Sequence, residues 1–431
     1  MRFTHVLSLV FAGVLLLLGA GPSSASSGDT VIVGGTPLSV VIGPDGTAYI
    51  GDYSGGTLTS AGGGVGVLTA GASNPSEILT TGFGVAGLAV SADGTLFADG
   101  WDSAQRQELI GVIPKGAPGV TRTIPVTPGA HLIAAAPDGT VYVPNHDLNT
   151  VSVIPPGADA VSREIPVGAG PREVAVGKDG TAYVTSQEAG TVSVIPAGAS
   201  SVSRSIQVSA TPGTTDNPHG IALGPDGSLY VADITGNAVA VIKPGGTDVA
   251  YRVRVSEGPK ELAVGADGTV YVVATAQNLS IIRPDGTAVA HSLAIAENPG
   301  HLAVAPNGSV IVTNPDDHTV SVLGPRLLQP VAPTAAAAQS APTQSQAAAP
   351  SQQTQSTGVT ADTWGSMPIV LGMSGLAVLG AAAAVIIVSR RRSERAKHEA
   401  SAWPIKQLEP EQLEPSKPIG PPSPSSRENQ P

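Results

Sequence analysis

The sequence predicts an all-β fold built from one four-stranded antiparallel unit used seven times, and three observations carry that prediction. First, residues 164–196 hold four short apolar runs, Ile165–Val167, Glu173–Val176, Thr181–Val184 and Thr191–Ile195, separated by Gly, Pro, Asp and Ser. Each run is too short for a stable helix and rich in β-branched residues, so each reads as a strand, with Asp179-Gly180 as the tight turn between two of them. Second, equivalent Asp/Asn-Gly turns fall at Asp45, Asp93, Asp138, Asp179, Asp226, Asp267 and Asn307, at intervals of 48, 45, 41, 47, 41 and 40 residues. A period in the forties with four strands per unit is that of a β-propeller blade. Third, six fourth strands can be assigned, at Ile78–Thr80, Ile124–Val126, Ile165–Val167, Ile206–Val208, Val253–Val255 and Leu293–Ile295, but the seventh unit stops at Gly324-Pro325. The missing strand lies at the other end: Val31–Val33 fits the fourth-strand pattern and precedes blade one. A seven-bladed propeller with an N-terminal strand closing the last blade follows, because closure pairs edges that an open array leaves bare.

Taken in order, residues 1–25 read as a secretory signal peptide, with Arg2 and His5 before the apolar run Val6–Ala20 and small residues at Ser23-Ser24-Ala25. Residues 30–324 form the propeller. Its first strands are expected at Leu38–Ile42, Gly87–Val90, Leu132–Ala135, Glu173–Val176, Gly220–Leu223, Glu261–Val264 and His301–Val304. Residues 325–366 turn to Ala, Pro, Gln, Ser and Thr, a composition that cannot offset its ordering entropy by burial and reads as an extended stalk. Residues 367–388 carry no charge and are long enough for one transmembrane helix, flanked outside by Trp364 and inside by Arg390-Arg391-Arg392. Residues 389–431 read as a disordered cytoplasmic tail. The expected topology is a single-pass type I membrane protein with its propeller extracellular.

Composition removes several functions. With no cysteine in 431 residues there is no catalytic thiol, iron–sulfur cluster or disulfide frame. Residues 26–366 carry 27 acidic against 13 basic side chains, which argues against nucleic-acid binding, where a basic surface must displace counterions. No P-loop, dinucleotide fingerprint or nucleophile elbow occurs in a supporting context, so no catalytic residue is assigned.

Two rings of positions are expected at one channel mouth. Seven residues before the turns lie Leu38, Ala86, His131, Arg172, His219, Lys260 and Gly300, with Glu173, Glu261 and His301 one further on. Seven residues after them lie Asp52, Gly100, Asn145, Ser186, Asp233, Ala274 and Asn314. The expected ligand-binding set is therefore His131, Arg172, Glu173, His219, Lys260, Glu261, His301, Asp52, Asn145, Asp233 and Asn314. Two imidazoles and a carboxylate suit a divalent metal, and His219, Glu261 and His301 come from three successive blades.

Units such as Tyr142-Val143-Pro144-Asn145 and Ile311-Val312-Thr313-Asn314 resemble the YVTN repeat of microbial surface propellers, close to the NHL repeat. Pro218-His219-Gly220-Ile221 is similar to virginiamycin B lyase, a seven-bladed metal-dependent enzyme. That second resemblance implies a Glu-x-His pair one blade further on; the site here reads Glu261-Leu262-Ala263, with the glutamate and without the histidine. The function expected is thus a membrane-anchored binding module for a ligand, cell-wall polymer or partner protein. An extracytoplasmic metal-dependent lyase or hydrolase is the alternative.

Overall fold

A computed structural model describes residues 28–54, 63–208 and 217–329. The signal peptide, stalk, transmembrane segment and cytoplasmic tail expected from the sequence lie outside them. No helix among the described residues is long and apolar enough to cross a membrane.

The described residues form seven four-stranded antiparallel sheets, arranged as successive blades. Six blades run in chain order over residues 37–80, 84–125, 134–166, 171–207, 218–254 and 259–294. The seventh takes three strands from residues 302–323 and its outer strand, Asp29–Ile32, from the N-terminal segment. That strand pairs with Thr319–Leu323 in the register Asp29↔Val322 to Ile32↔Thr319, and Val33 and Gly34 add backbone bonds to His318 O. Expected and observed closures coincide to within two residues.

Each seam between neighbouring blades holds its own apolar cluster, seven in all. The seam between blades 4 and 5 is representative, packing Val192, Val194 and Ile206 against Ile221, Leu229 and Val231. Alternating side chains point to opposite faces of a sheet, so each β-branched strand feeds two seams at once. Each fully buried Val or Ile contributes about 1.5–3 kcal/mol. Outer-strand arginines tie blades sideways: Arg122 donates to Ala158 O and pairs with Asp159 at 3.0 Å, and Arg163 Nε donates to Ala199 O at 3.2 Å.

Two inner strands are shorter than expected. Blade 3 has only Ala134–Ala135 where Leu132–Ala135 was expected. Pro144 stands in the neighbouring strand and has no N–H, so the ladder breaks there, and Leu132 instead bridges in parallel to Glu173 of blade 4. In blade 7 the inner strand begins at Leu302, one residue late, because His301 N bonds to the Thr313 hydroxyl and Thr313 N to His301 O. Blade 2 carries the longest hairpin, Leu96–Asp102 with Gln107–Ile113.

Candidate metal and ligand site

The site is made by how the inner strands begin. In blades 4, 5 and 6 they start at Pro171, Pro218 and Pro259, and the register then slips, between Pro171 and Val174, Pro218 and Ile221, and Pro259 and Glu261. A bulge re-aims the residues it contains, and those residues are Arg172-Glu173, His219-Gly220 and Lys260. The result is a cluster in which Arg172, Glu173, His219 and Glu261 are each less than 10 % exposed.

Glu173 of blade 4 reaches across to blade 7, its Oε1 lying 3.9 Å from His301 Nε2, while its Oε2 accepts from Ile221 N of blade 5 at 3.2 Å. His301 Nδ1 faces Val40 O at 3.2 Å, which fixes its proton there and leaves Nε2 as the ligand atom. His219 Nδ1 lies 2.8 Å from Glu261 Oε1. Glu261 Oε2 is buried and receives no N–H or hydroxyl donor, which leaves the acid proton of Glu173 as the hydrogen available to this carboxylate. Gly220 makes room for this carboxylate, since a side chain there would meet Glu261 Oε2 at 2.9 Å. On the other flank Arg172 Nη1 approaches His131 Nδ1 at 3.3 Å, and the His131 and His146 rings stack edge-on at 5.2 Å.

Burial and the neighbouring Glu261 push Glu173 up to about 8. Burial alone would raise Glu261 as well, but His219 and His301 outweigh it and keep Glu261 low, so Glu261 is the ionised member of the pair. Burial and Arg172 hold His219 down at about 4, and His131 is kept neutral by the same two causes. Burial opposes the charge of His301, but Glu173 and Glu261 raise it overall.

Donor atoms of Glu173, Glu261 and His301 all lie within 4.8 Å of one another. Metal–ligand distances of about 2.0–2.6 Å place two ligands of one ion roughly 3–5 Å apart, so these three fit a divalent cation, which would take the place of the proton on Glu173 and meet Glu261 Oε2, an atom with no N–H or hydroxyl donor. The set differs from the expected His219, Glu261 and His301: Glu173 takes the third place, and His219 lies against a ligand. Sequence spacing ranked His219 above Glu173 because it did not show that Glu173 spans the channel.

The second ring is corrected by the structure. Asp52, Asn145, Asp233 and Asn314 are fully or almost fully buried, but they turn into their own blades. Asp52 Oδ1 accepts from Thr36 N and from the Ser54 amide and hydroxyl. Asn145 Nδ2 donates to Thr150 Oγ1, Ser152 Oγ and Glu164 Oε2, each at 2.9 Å. Asn314 Nδ2 does the same with Thr319 and Ser321, and Asp233 pairs with Arg252 at 2.9 Å. Asn145 and Asn314 sit opposite Thr150 and Thr319 of their third strands, Asp52 binds the segments flanking its hairpin and Asp233 an outer-strand arginine, so these four tether their blades and do not line the mouth. Asn145→Ala is therefore expected to cost about 1–3 kcal/mol in chemical denaturation by removing three hydrogen bonds, one of them to the fully buried Ser152, with cation binding at the channel unchanged.

A family model for the virginiamycin B lyase family matches residues 31–323, two thirds of the chain and all seven blades. The chain belongs to the virginiamycin B lyase family. No curated protein matches it. Among solved structures, hydrazine synthase from Kuenenia stuttgartiensis superposes with a TM-score of 0.56 at 18% identity, covering 71% of this chain and 99% of that one. A streptogramin B lyase gives 0.56 at 17%, covering 68% and 95%. Virginiamycin B lyase from Staphylococcus aureus gives 0.54 at 15%, covering 69% and 96%. At such identities the likeness shows a shared fold, and a fold hosts many chemistries.

Proposed function

We propose that this member of the virginiamycin B lyase family is an extracytoplasmic binding module, anchored by its C-terminal segment, whose channel holds a divalent cation at Glu173, Glu261 and His301 and docks a ligand, cell-wall polymer or partner protein there. The observation that carries this reading is the convergence of two buried carboxylates and an imidazole from blades 4, 6 and 7. Two carboxylates so close and so buried repel each other unless a proton or a cation intervenes. When bound, a cation would polarise an oxygen of the ligand. The chain's own residues do the rest: His219 orients Glu261, Val40 O fixes the ring of His301, and Arg172 with Lys260 adds positive charge beside the carboxylates. The seven-bladed frame holds these groups still, which suits multipoint recognition.

Titration of the full-length protein with Mn2+, Mg2+ and Ca2+ by calorimetry tests the reading. Tight stoichiometric binding is expected, lost at least 100-fold in Glu261→Gln and His301→Ala and weakened about 10–100-fold in His219→Ala, which removes only the orienting partner. Glu173 must shed its proton to bind, and its pKa stands near 8. Affinity is thus expected to rise with pH, by about tenfold per unit below 8 from Glu173 and more steeply where His301, whose pKa is also raised, still carries a proton on Nε2. Binding that is insensitive to Glu261→Gln would overturn the cation assignment.

Lyase chemistry is the second reading, and family membership favours it. Glu261-Leu262-Ala263 departs from the Glu-x-His pair that the resemblance implies, leaving His219 and Glu173 as the available proton-transfer groups. Chromatography of quinupristin after incubation with the cation-loaded protein separates the two: conversion favours the lyase, and retention without conversion favours the binder.

A further inference from the structure

The position six residues after each turn is occupied by Gly51, Asp99, Pro144, Thr185, Ala232, Val273 and Thr313. In blades 4 and 7 the threonine there is a two-way clasp. Thr185 Oγ1 accepts from Glu173 N of its own inner strand and donates to His219 O of the next blade, at 3.2 and 2.8 Å. Thr313 Oγ1 accepts from His301 N and donates to Leu38 O of the next blade, at 2.8 and 3.3 Å. Blade 2 has Asp99 in this place. The residues that stand to it as Glu173 and His219 stand to Thr185 are Gly87 and His131. A side chain built on Gly87 would start 3.6 Å from Asp99 Oδ2 and 3.6 Å from His131 O.

Asp99 is completely buried, and neither of its oxygens has a hydrogen-bond partner among the described residues. A carboxylate left that way is strongly disfavoured, whereas a carboxylic acid has the hydroxyl that the clasp requires. We propose that Asp99 is a proton-binding site of the seam between blades 2 and 3: its neutral acid is the folded form, and it donates across the seam to the backbone of His131 as Thr185 does to His219.

The surroundings agree. Burial, then the neighbouring Glu108, push Asp99 well above the usual carboxylate range. Glu108, on the adjacent strand, is itself raised to about 7 by burial; the Gly129 and Ala130 amides restrain the rise and Asp147 adds to it. Its Oε2 accepts from Gly129 N at 2.6 Å. Tyr53, after the second strand of blade 1, is raised by burial and then by Glu108 and Asp99. The groups coupled to this pair are thus acidic or neutral, and none of these couplings stabilises a second negative charge. The clasp also matters to the channel, because His131 carries the contact to Arg172.

A raised folded-state pKa means that the folded protein keeps a proton the unfolded chain releases, so stability falls as pH rises above the ordinary carboxylate value near 4. Each retained proton changes the folding equilibrium about tenfold per pH unit. Melting of the full-length protein between pH 5 and 9 is compared with Asp99→Thr, the clasp of blades 4 and 7, and with Asp99→Asn. Expected are a flatter pH dependence in both variants and a higher melting temperature for Asp99→Thr above pH 7. Infrared difference spectra at pH 7, wild type minus Asp99→Asn, are expected to show a protonated-carboxyl stretch. Absence of that band, or a pH dependence of melting unchanged in the variants, overturns the proposal.

Discussion

Deleting residues 29–34 is expected to abolish the single cooperative melt of the propeller. Val31 and Val33 are 1 % and 4 % exposed and sit in the cluster between blades 7 and 1 with Val40, Ile50 and Val320. Their burial contributes about 1.5–3 kcal/mol each, to which the four-residue ladder with Thr319–Leu323 adds its backbone bonds. A loss of this size is a large fraction of the roughly 5–15 kcal/mol that holds a domain folded. Removal also bares the edge of Thr319–Leu323, a template for pairing with another chain. Calorimetry of the deleted chain is expected to show a broad, early transition with aggregation. A melt within a few degrees of the intact protein would show that the ring does not depend on this closure.

Gly35→Ala is expected to be the most damaging single substitution near the closure. Gly35 has φ of 60°, and a Cβ there would collide with the carboxylate of Asp52. That carboxylate cannot step aside, because Thr36 N and Ser54 hold its Oδ1 at 2.7–3.0 Å. Left-handed backbone costs a non-glycine residue about 1–2 kcal/mol and the overlap about 1–3 kcal/mol more. Gly71→Ala provides the control: its φ is 80°, but nothing lies within 4 Å of the added carbon, so only the backbone cost applies. Urea denaturation of the two variants should differ by at least 1 kcal/mol; equal effects would mean that the Asp52 tether yields.

The two rings show where reading the sequence stops. Arg172, Glu173, His219 and Glu261 were legible as channel candidates because they lie six or seven residues before a turn, and the repeat carries that distance from blade to blade. Asn145 and Asn314 sit at an equally fixed distance but face Thr150, Ser152, Thr319 and Ser321, since strand alternation places them opposite those hydroxyls. Spacing fixes how far along a strand a residue stands; its face is set by bulges and pairing. Asp99 carried a signal that only comparison among repeats reveals, an acid where the other six blades have Gly, Pro, Thr, Ala, Val and Thr.

By itself the sequence determined the number of blades, their order and the origin of the closing strand, because turn chemistry and period-two patterning act within some forty residues. The pairing of Glu173 with His301, three blades apart, and the choice of Glu173 over His219 beside Glu261 were decided by tertiary structure. Those contacts cross the axis of the ring, where distance depends on how all seven sheets pack and not on any local run of residues.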